Sequence, residues 1–321
     1  MTAGTAKVKR RGFLITASIL FFILVFGSAG FFSACFWYNG KIDEVIGGAD
    51  GEFLVVPAGA SIRQVAGLLE SRRIVGSAFL FRLHMRLEHR HESIKAGEYR
   101  FIHPVTVRRV AAQLVEGRVY YHRITVPEGL DWQETAETLS RQGFGESRQF
   151  LDLIADPGPI LDLDPEARNL EGYLFPETYF VTRDANPEEI IGMMVERFRK
   201  NWSADLAGRA ESLGLSVREA VTLASLIEKE TALPGERPLV SSVFHNRLQR
   251  GQKLACDPTV MYAVKLVTPW DGVINQSELK LDSPYNTYSY PGLTPGPIAS
   301  PGPASIRASL FPGPNDLLCY V

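Results

Sequence analysis

Residues 12–38, GFLITASILFFILVFGSAGFFSACFWY, contain no charged side chain. A run of that length exceeds the roughly 20 apolar residues needed to cross a hydrocarbon core, so it predicts one transmembrane helix over 12–38, with 1–11 left as a short tail. Lys7, Lys9, Arg10 and Arg11 precede the run, and Trp37 and Tyr38 close it. The positive-inside bias then puts the tail in the cytoplasm, the body from about Asn39 outside it, and the aromatic pair at an interface. A cleaved signal peptide is the competing reading, because GSAGFFSA offers small residues for cleavage. The run is much longer than the roughly 7–15 apolar residues of such a signal, which favours the anchor.

The whole chain of 321 residues exceeds one average domain and is expected to form two or three modules. A formal net charge of -2 gives no pull toward nucleic acid, and no nucleic-acid-reading motif appears. Cys35 falls inside the apolar run, which leaves only Cys256 and Cys319 to pair outside it; pairing and two free thiols both remain open. A Gly-rich phosphate cradle and a Gly-x-Ser-x-Gly elbow are both missing, so most nucleotide chemistry and the common serine hydrolase route are set aside.

After a linker over 39–52, the pattern turns to short strands alternating with helices. EFLVVPAG reads as a strand closed by Pro57 and Gly59, and Ser61 begins a helix with Ile62, Val65, Ala66 and Leu69 on one face. GEYRFIHP is an alternating strand, followed by a helix capped by Thr106 and stopped by Gly117. VVPAGASIRQVAGLL then recurs loosely as TVPEGLDWQETAETL, with Ala66 and Ala136 at the same offset, which suggests duplicated small modules. The basic segment with His84, His89 and His91 reads as a solvated helix face rather than a metal site, since no acid or thiol stands at matching spacing. Residues 141–165 read as a connection, and a larger domain is expected from 169, with helices over 187–201 and from Ser216. The Pro- and Gly-dense stretch 282–314 excludes long regular elements.

The stretch LASLIEKET raises the question of chemistry. Ser216 and Glu219 form a capping box, which fixes the start of its helix. At about 100° per residue, Val217, Val221 and Ala224 fall within roughly 40° of Glu228, whereas Glu230 points to nearly the opposite side. A carboxyl set against apolar side chains favours its protonated form, as a general acid requires. A solvated helix end rich in Glu and Lys is the alternative. Downstream, Asn246, Arg247, Asp257, Thr259, Tyr262, Ser283, Tyr285, Asn286 and Tyr288 supply the amides, hydroxyls and rings that a carbohydrate site uses.

EGYLFPETY, LASLIEKET, VFHNRL, DPTVMYA, DSPYNTY and GLTPGPIASPGPASIRASL resemble, in that order, the motifs of the endolytic murein transglycosylase (MltG, YceG-like) family. The resemblance covers most of the chain. It implies an α+β fold with a LysM-like peptidoglycan-binding module over 53–118, a second small module and connection over 119–168, and a catalytic domain over 169–321. It also implies a location in the bacterial cytoplasmic membrane, peptidoglycan glycan strands as substrate, synthases as partners at the membrane, and no cofactor or metal.

The family's catalytic glutamate matches Glu228. Glu171, Tyr173, Asn246, Arg247, Asp257, Tyr285 and Asn286 are the candidates for binding and positioning, with Glu171 as a second acid or a structural hydrogen-bond partner and Asp257 as a ligand or a helix cap. The reaction implied is cleavage of the MurNAc-β-1,4-GlcNAc bond within nascent strands, leaving a 1,6-anhydro end. Competing readings are a non-catalytic peptidoglycan-binding scaffold and a water-using muramidase pairing Glu171 with Glu228. Family members run on past the strand that LLCYV resembles into a His-Phe-Ser segment, whereas the sequence stops at Val321; a shortened chain is the expected reason, rather than an inactive one.

Overall fold

The computed structural model describes residues 3–47, 51–268, 270 and 272–319. Its first element, α1 (Ala3–Ile42), is a helix of 40 residues that carries the apolar run four residues further than expected. Within it, Leu20–Ile42 is a stretch of 23 residues whose most apolar 18-residue window has mean hydropathy 2.0, long and apolar enough to cross a membrane. Beyond it, Ile46 pairs with Val105 in an isolated antiparallel bridge, so part of the expected linker is tied down. The chain divides into two compact units, residues 1–121 and 122–321.

In the first unit, β1 (Glu52–Val56) pairs antiparallel with β2 (Gly97–Phe101), Glu52 opposite Phe101 and Val56 opposite Gly97. Helices α2 (Ile62–Ser71), α3 (Ala78–Glu88) and α4 (Val107–Glu116) pack beside this ribbon. The core joins Leu54, Val65, Leu69, Phe81, Phe101 and Leu114. Each predicted cap is present: Ser61 accepts from the N–H of Gln64, Thr106 accepts from that of Arg109, and Gly117 ends α4 in the left-handed region. His84 departs from the expected solvated face. It is fully buried and lies 2.8 Å through Nδ1 from the Tyr38 hydroxyl, because α3 packs against the end of α1 and turns this side chain inward.

In the second unit, β3 (His122–Thr125) pairs antiparallel with β4 (Thr178–Val181). Between them lie α5 (Trp132–Arg141) and α6 (Ser147–Ile154), and after them α7 (Pro187–Asn201) and α8 (Ala204–Ser212). The expected connection over 141–165 thus contains a helix, whose Phe150 and Ile154 are fully buried with Leu170, Tyr173 and Ile190. Because β3 needs β4 to complete its ribbon, 122–168 and the region from 169 share one core.

The remaining helices are α9 (Val217–Glu230), α10 (Arg237–Gln249), α11 (Asp257–Lys265) and α12 (Pro303–Leu310). Every residue of α9 from Ala220 to Ile227 is buried, so this helix is enclosed rather than half-solvated, with α8, α10, α11 and α12 around it. Residues 317–319 form no strand, and Tyr320 and Val321 lie outside the described residues.

The loose repeat in sequence is a repeat in structure. Each copy runs from a strand through Pro-x-Gly, with Gly59 or Gly129 at positive φ, into a helix opened by a full capping box on Ser61 or Asp131. Ala66 and Ala136 are both fully buried at the equivalent place.

Candidate active site

The helix α9 ends because Thr231 is extended. Its hydroxyl donates to Glu236 at 2.8 Å and accepts from the Leu233 N–H, which folds the intervening turn back into α10. Pro238 sits in the first turn of α10, where a missing N–H costs nothing. This hairpin brings Glu228, near the end of α9, against Arg237, the first residue of α10.

Among the described residues the Glu228 carboxylate has only donors as partners: Arg237 Nη2 donates to Oε1 at 2.7 Å, and the N–H of Gly302 donates to Oε2 at 3.0 Å. The side chains of Arg237 and Glu228 are 7% and 5% exposed, so the pair is largely dry. The helical period predicts an apolar wall beside Glu228. The structure replaces that wall with a guanidinium and the start of α12, because the neighbours at the end of α9 come from other segments rather than from its own stripe. Glu230 turns away, as the helical geometry predicts, and its Oε2 accepts from the Cys256 thiol at 3.1 Å. Burial, with the Glu230 charge beside it, pushes that thiol's pKa well up. Cys256 and Cys319 are both free, the first buried and the second exposed.

A second carboxylate, which sequence reasoning missed, reaches the same guanidinium. Glu128 Oε2 lies 3.5 Å from Arg237 Nη2, and its side chain is 41% exposed. Its loop is held in place: Gly129 N–H donates to Ser300 O at 2.9 Å, Ser300 N–H donates to Leu130 O at 2.8 Å, and Lys229 Nζ donates to Gly129 O at 2.9 Å. The signal available in sequence was the mismatch inside the repeat, where Glu128 stands opposite Ala58.

One residue from Glu228, Lys229 borders a concavity of about 200 Å³ shared with Tyr262, Lys265, Trp270 and Ile298. Lys265 donates to Asp131 at 2.7 Å and to Glu134 at 2.6 Å, which locks α11 to the start of α5.

Glu171 is fully enclosed. Its Oε2 accepts from the Trp132 N–H and from the Tyr262 hydroxyl, both at 3.1 Å, while Oε1 is buried with no hydrogen-bond partner among the described residues. Burial, with the Asp131 charge adding to it and these donors opposing it, pushes its pKa up to about 8. Its enclosure therefore favours the neutral acid. It borders a cavity of about 80 Å³ with Asn169, Arg218, Tyr285 and Pro297. The Tyr285 ring packs on Tyr262 at 5.0 Å between centroids.

The other candidates are held by the protein's own groups. The Tyr173 hydroxyl donates to Asp164 at 2.6 Å, within reach of Arg218. Asn286 is fully buried, and its amide donates to Leu279 O, Leu281 O and Ser289 Oγ. Asp257 accepts from the Tyr288 hydroxyl at 2.6 Å; it lies inside α11, whose N-cap is Cys256, so it is not the cap. Asn246 donates to Asn315 O and Leu317 O, and Arg247 donates to Leu318 O and Leu254 O, tying down the last described segment. Asn246 and Arg247 stand nine and ten residues along α10 from Arg237, about 15 Å by helical rise, so they do not share the Glu228 cluster.

The chain is thus a helix-rich protein of mixed α and β structure whose second unit holds a buried carboxylate–guanidinium centre. It belongs to the YceG-like family, which residues 54–321 match. It is 31% identical over 282 residues to the endolytic murein transglycosylase of Bacillus subtilis (strain 168), covering 83% of this chain and 77% of that one. Its identity to the endolytic murein transglycosylase of Streptococcus pneumoniae serotype 2 is 28% over 344 residues, with 95% of this chain and 60% of that one covered. A crystal structure of a putative YceG-like protein from Listeria monocytogenes superposes with a TM-score of 0.58 at 28% identity, covering 85% of this chain and 93% of that chain.

Proposed function

We propose that this chain is an endolytic murein transglycosylase, anchored by α1, that cuts MurNAc-β-1,4-GlcNAc bonds within glycan strands. The observation that carries the reading is Glu228: one carboxylate, almost dry, held at the meeting of α9, α10 and α12 in a member of a family whose relatives bear that name. Glu228 protonates the glycosidic oxygen as the C1–O bond breaks, and the GlcNAc side leaves as an alcohol. The C6 hydroxyl of MurNAc closes onto C1 and returns its proton to the same carboxylate, giving the 1,6-anhydro ring. Because that nucleophile is already tethered to the reacting sugar, proximity takes the place of the second carboxylate that water-using glycosidases need.

The concavity beside Lys229, with Tyr262 and Trp270, is suited to a sugar ring, since flat aromatic faces and nearby polar groups are what pyranoses contact. The small ribbon of β1 and β2, with α2 and α3 between its strands and a core of its own, supports reading 53–118 as the peptidoglycan-binding module. The length and hydropathy of Leu20–Ile42 and the basic residues before it support a single-pass anchor with the N-terminus in the cytoplasm and the body outside. Synthases that elongate the strands are the partners this placement suits.

The test is to incubate the full chain in detergent with purified peptidoglycan and weigh the products. Anhydro-terminated fragments, lost in Glu228→Gln, are expected. Reducing ends, or full cleavage by Glu228→Gln, would overturn the reading.

A further inference from the structure

Arg237 is flanked by Glu228 and Glu128, so the cluster carries two carboxylates and one guanidinium that cannot give up its proton. For Glu228 to act as an acid it must become neutral. If it were the only partner, its protonation would leave Arg237 buried and uncompensated, an unfavourable state. Glu128 is the charge that remains. We propose that Glu128 is a positioning residue that holds Arg237 when Glu228 carries the catalytic proton, so that the proton enters and leaves without stranding a buried cation.

Three observations support this role over a merely architectural one. The first unit builds the same strand, Pro-x-Gly turn and capped helix with Ala58 in the equivalent place, so the turn itself does not require a carboxylate. Glu128 is far more exposed than Glu228, so a charge on it costs little desolvation, whereas its partner is enclosed. The backbone at Gly302 passes so close over Glu128 that an added Cβ would stand 2.1 Å from its carboxyl carbon, although φ of -77° and ψ of 171° suit any residue. Glycine there leaves room for the carboxyl to reach Arg237.

The other charged groups around Glu228 have partners of their own. Lys229 is on Gly129 O, Glu230 on the Cys256 thiol and Glu236 on the Thr231 hydroxyl, while Arg307 of α12 lies over the Phe311 ring. Glu128 is the acid positioned to take over Arg237.

This inference rests on Glu228 being the acid. The experiment measures kcat and KM against pH for anhydro-fragment release by the full chain carrying Glu128→Gln, Glu128→Asp or Gly302→Ala. The Gln variant is expected to lose about tenfold or more in kcat near neutrality, with KM unchanged, and to recover activity as pH falls, its alkaline-side limb displaced to lower pH by about one unit. Glu128→Asp should restore part of the rate, and Gly302→Ala should behave like Glu128→Gln because it displaces the carboxyl without removing it. A Glu128→Gln chain with the wild-type rate and pH profile, alongside an inactive Glu228→Gln, would overturn the inference and leave the proposed activity standing. A pH-independent loss with a lowered melting temperature in both Glu128→Gln and Gly302→Ala would also overturn it. Full activity of Glu228→Gln would instead remove the site assignment itself.

Discussion

Glu228 and Arg237 meet at 2.7 Å across the α9–α10 turn, each at a helix end that disfavours its charge. A carboxylate near a C-terminus and a guanidinium at an N-terminus both oppose the macrodipole, by roughly 0.3–1 kcal/mol each when exposed. Their mutual attraction, and the N-terminus of α12 facing Glu228, offset that conflict.

Arg237→Met should therefore lower unfolding free energy by about 3–5 kcal/mol, because it leaves Glu228 charged and enclosed. Arg237→Met combined with Glu228→Gln should be more stable than Arg237→Met alone. Denaturant melts of the four proteins in the cycle measure this, and strict additivity would exclude a coupled pair.

Glu171 gives the fold a pH dependence of definite sign. Its folded pKa of about 8 stands above the ordinary carboxyl value of 4.5, so between those values the unfolded chain has lost a proton that the folded chain keeps. The group's stabilisation is full below about pH 4.5 and is lost as pH rises toward 8, with a slope approaching 1.4 kcal/mol per pH unit, order of magnitude only. Glu171→Gln, which keeps an acceptor for Trp132 and Tyr262, should flatten that slope. An unchanged stability–pH curve would show that Glu171 is ionised in the fold.

Gly172→Ala should destabilise the second unit by about 1–3 kcal/mol or more. Gly172 has φ +83°, and an added Cβ would lie 2.5 Å from Pro297 Cβ and 3.0 Å from Val221 Cγ1, neither of which is a flexible tip. The melting temperature reports it directly; an unchanged value would mean that residues 295–297 can shift away.

Tyr173→Phe separates a structural tyrosine from a substrate contact. Removing the hydroxyl that donates to buried Asp164 should cost about 1–3 kcal/mol of stability, with KM for glycan unchanged. A raised KM in a protein of normal stability would place Tyr173 on the substrate instead.

Local features were the legible ones. The caps at Ser61, Thr106 and Ser216 depend on neighbours three residues away, and the structure makes all three. The separation of Glu228 from Glu230 followed from helical rotation and holds in their partners. What surrounds Glu228 was not legible, because Arg237 arrives through a hydroxyl-built turn, Glu128 through the loop after a strand that pairs with β4, and Gly302 from a stretch too rich in Pro and Gly to show a period. The partners of Asn246 and Asn286 were not legible either, because an amide reads the same in sequence whether it meets a sugar hydroxyl or a carbonyl of its own chain.

The segments that build the centre are far apart along the chain: Glu128 before the unit's first helix, Glu228 and Arg237 in its middle, Gly302 near its end. Contacts so distant in sequence form only after the intervening chain has been placed. The centre therefore exists only once the second unit has closed on itself, and a chain folded as far as α11 would hold Glu228 without the Gly302 N–H that its Oε2 accepts from.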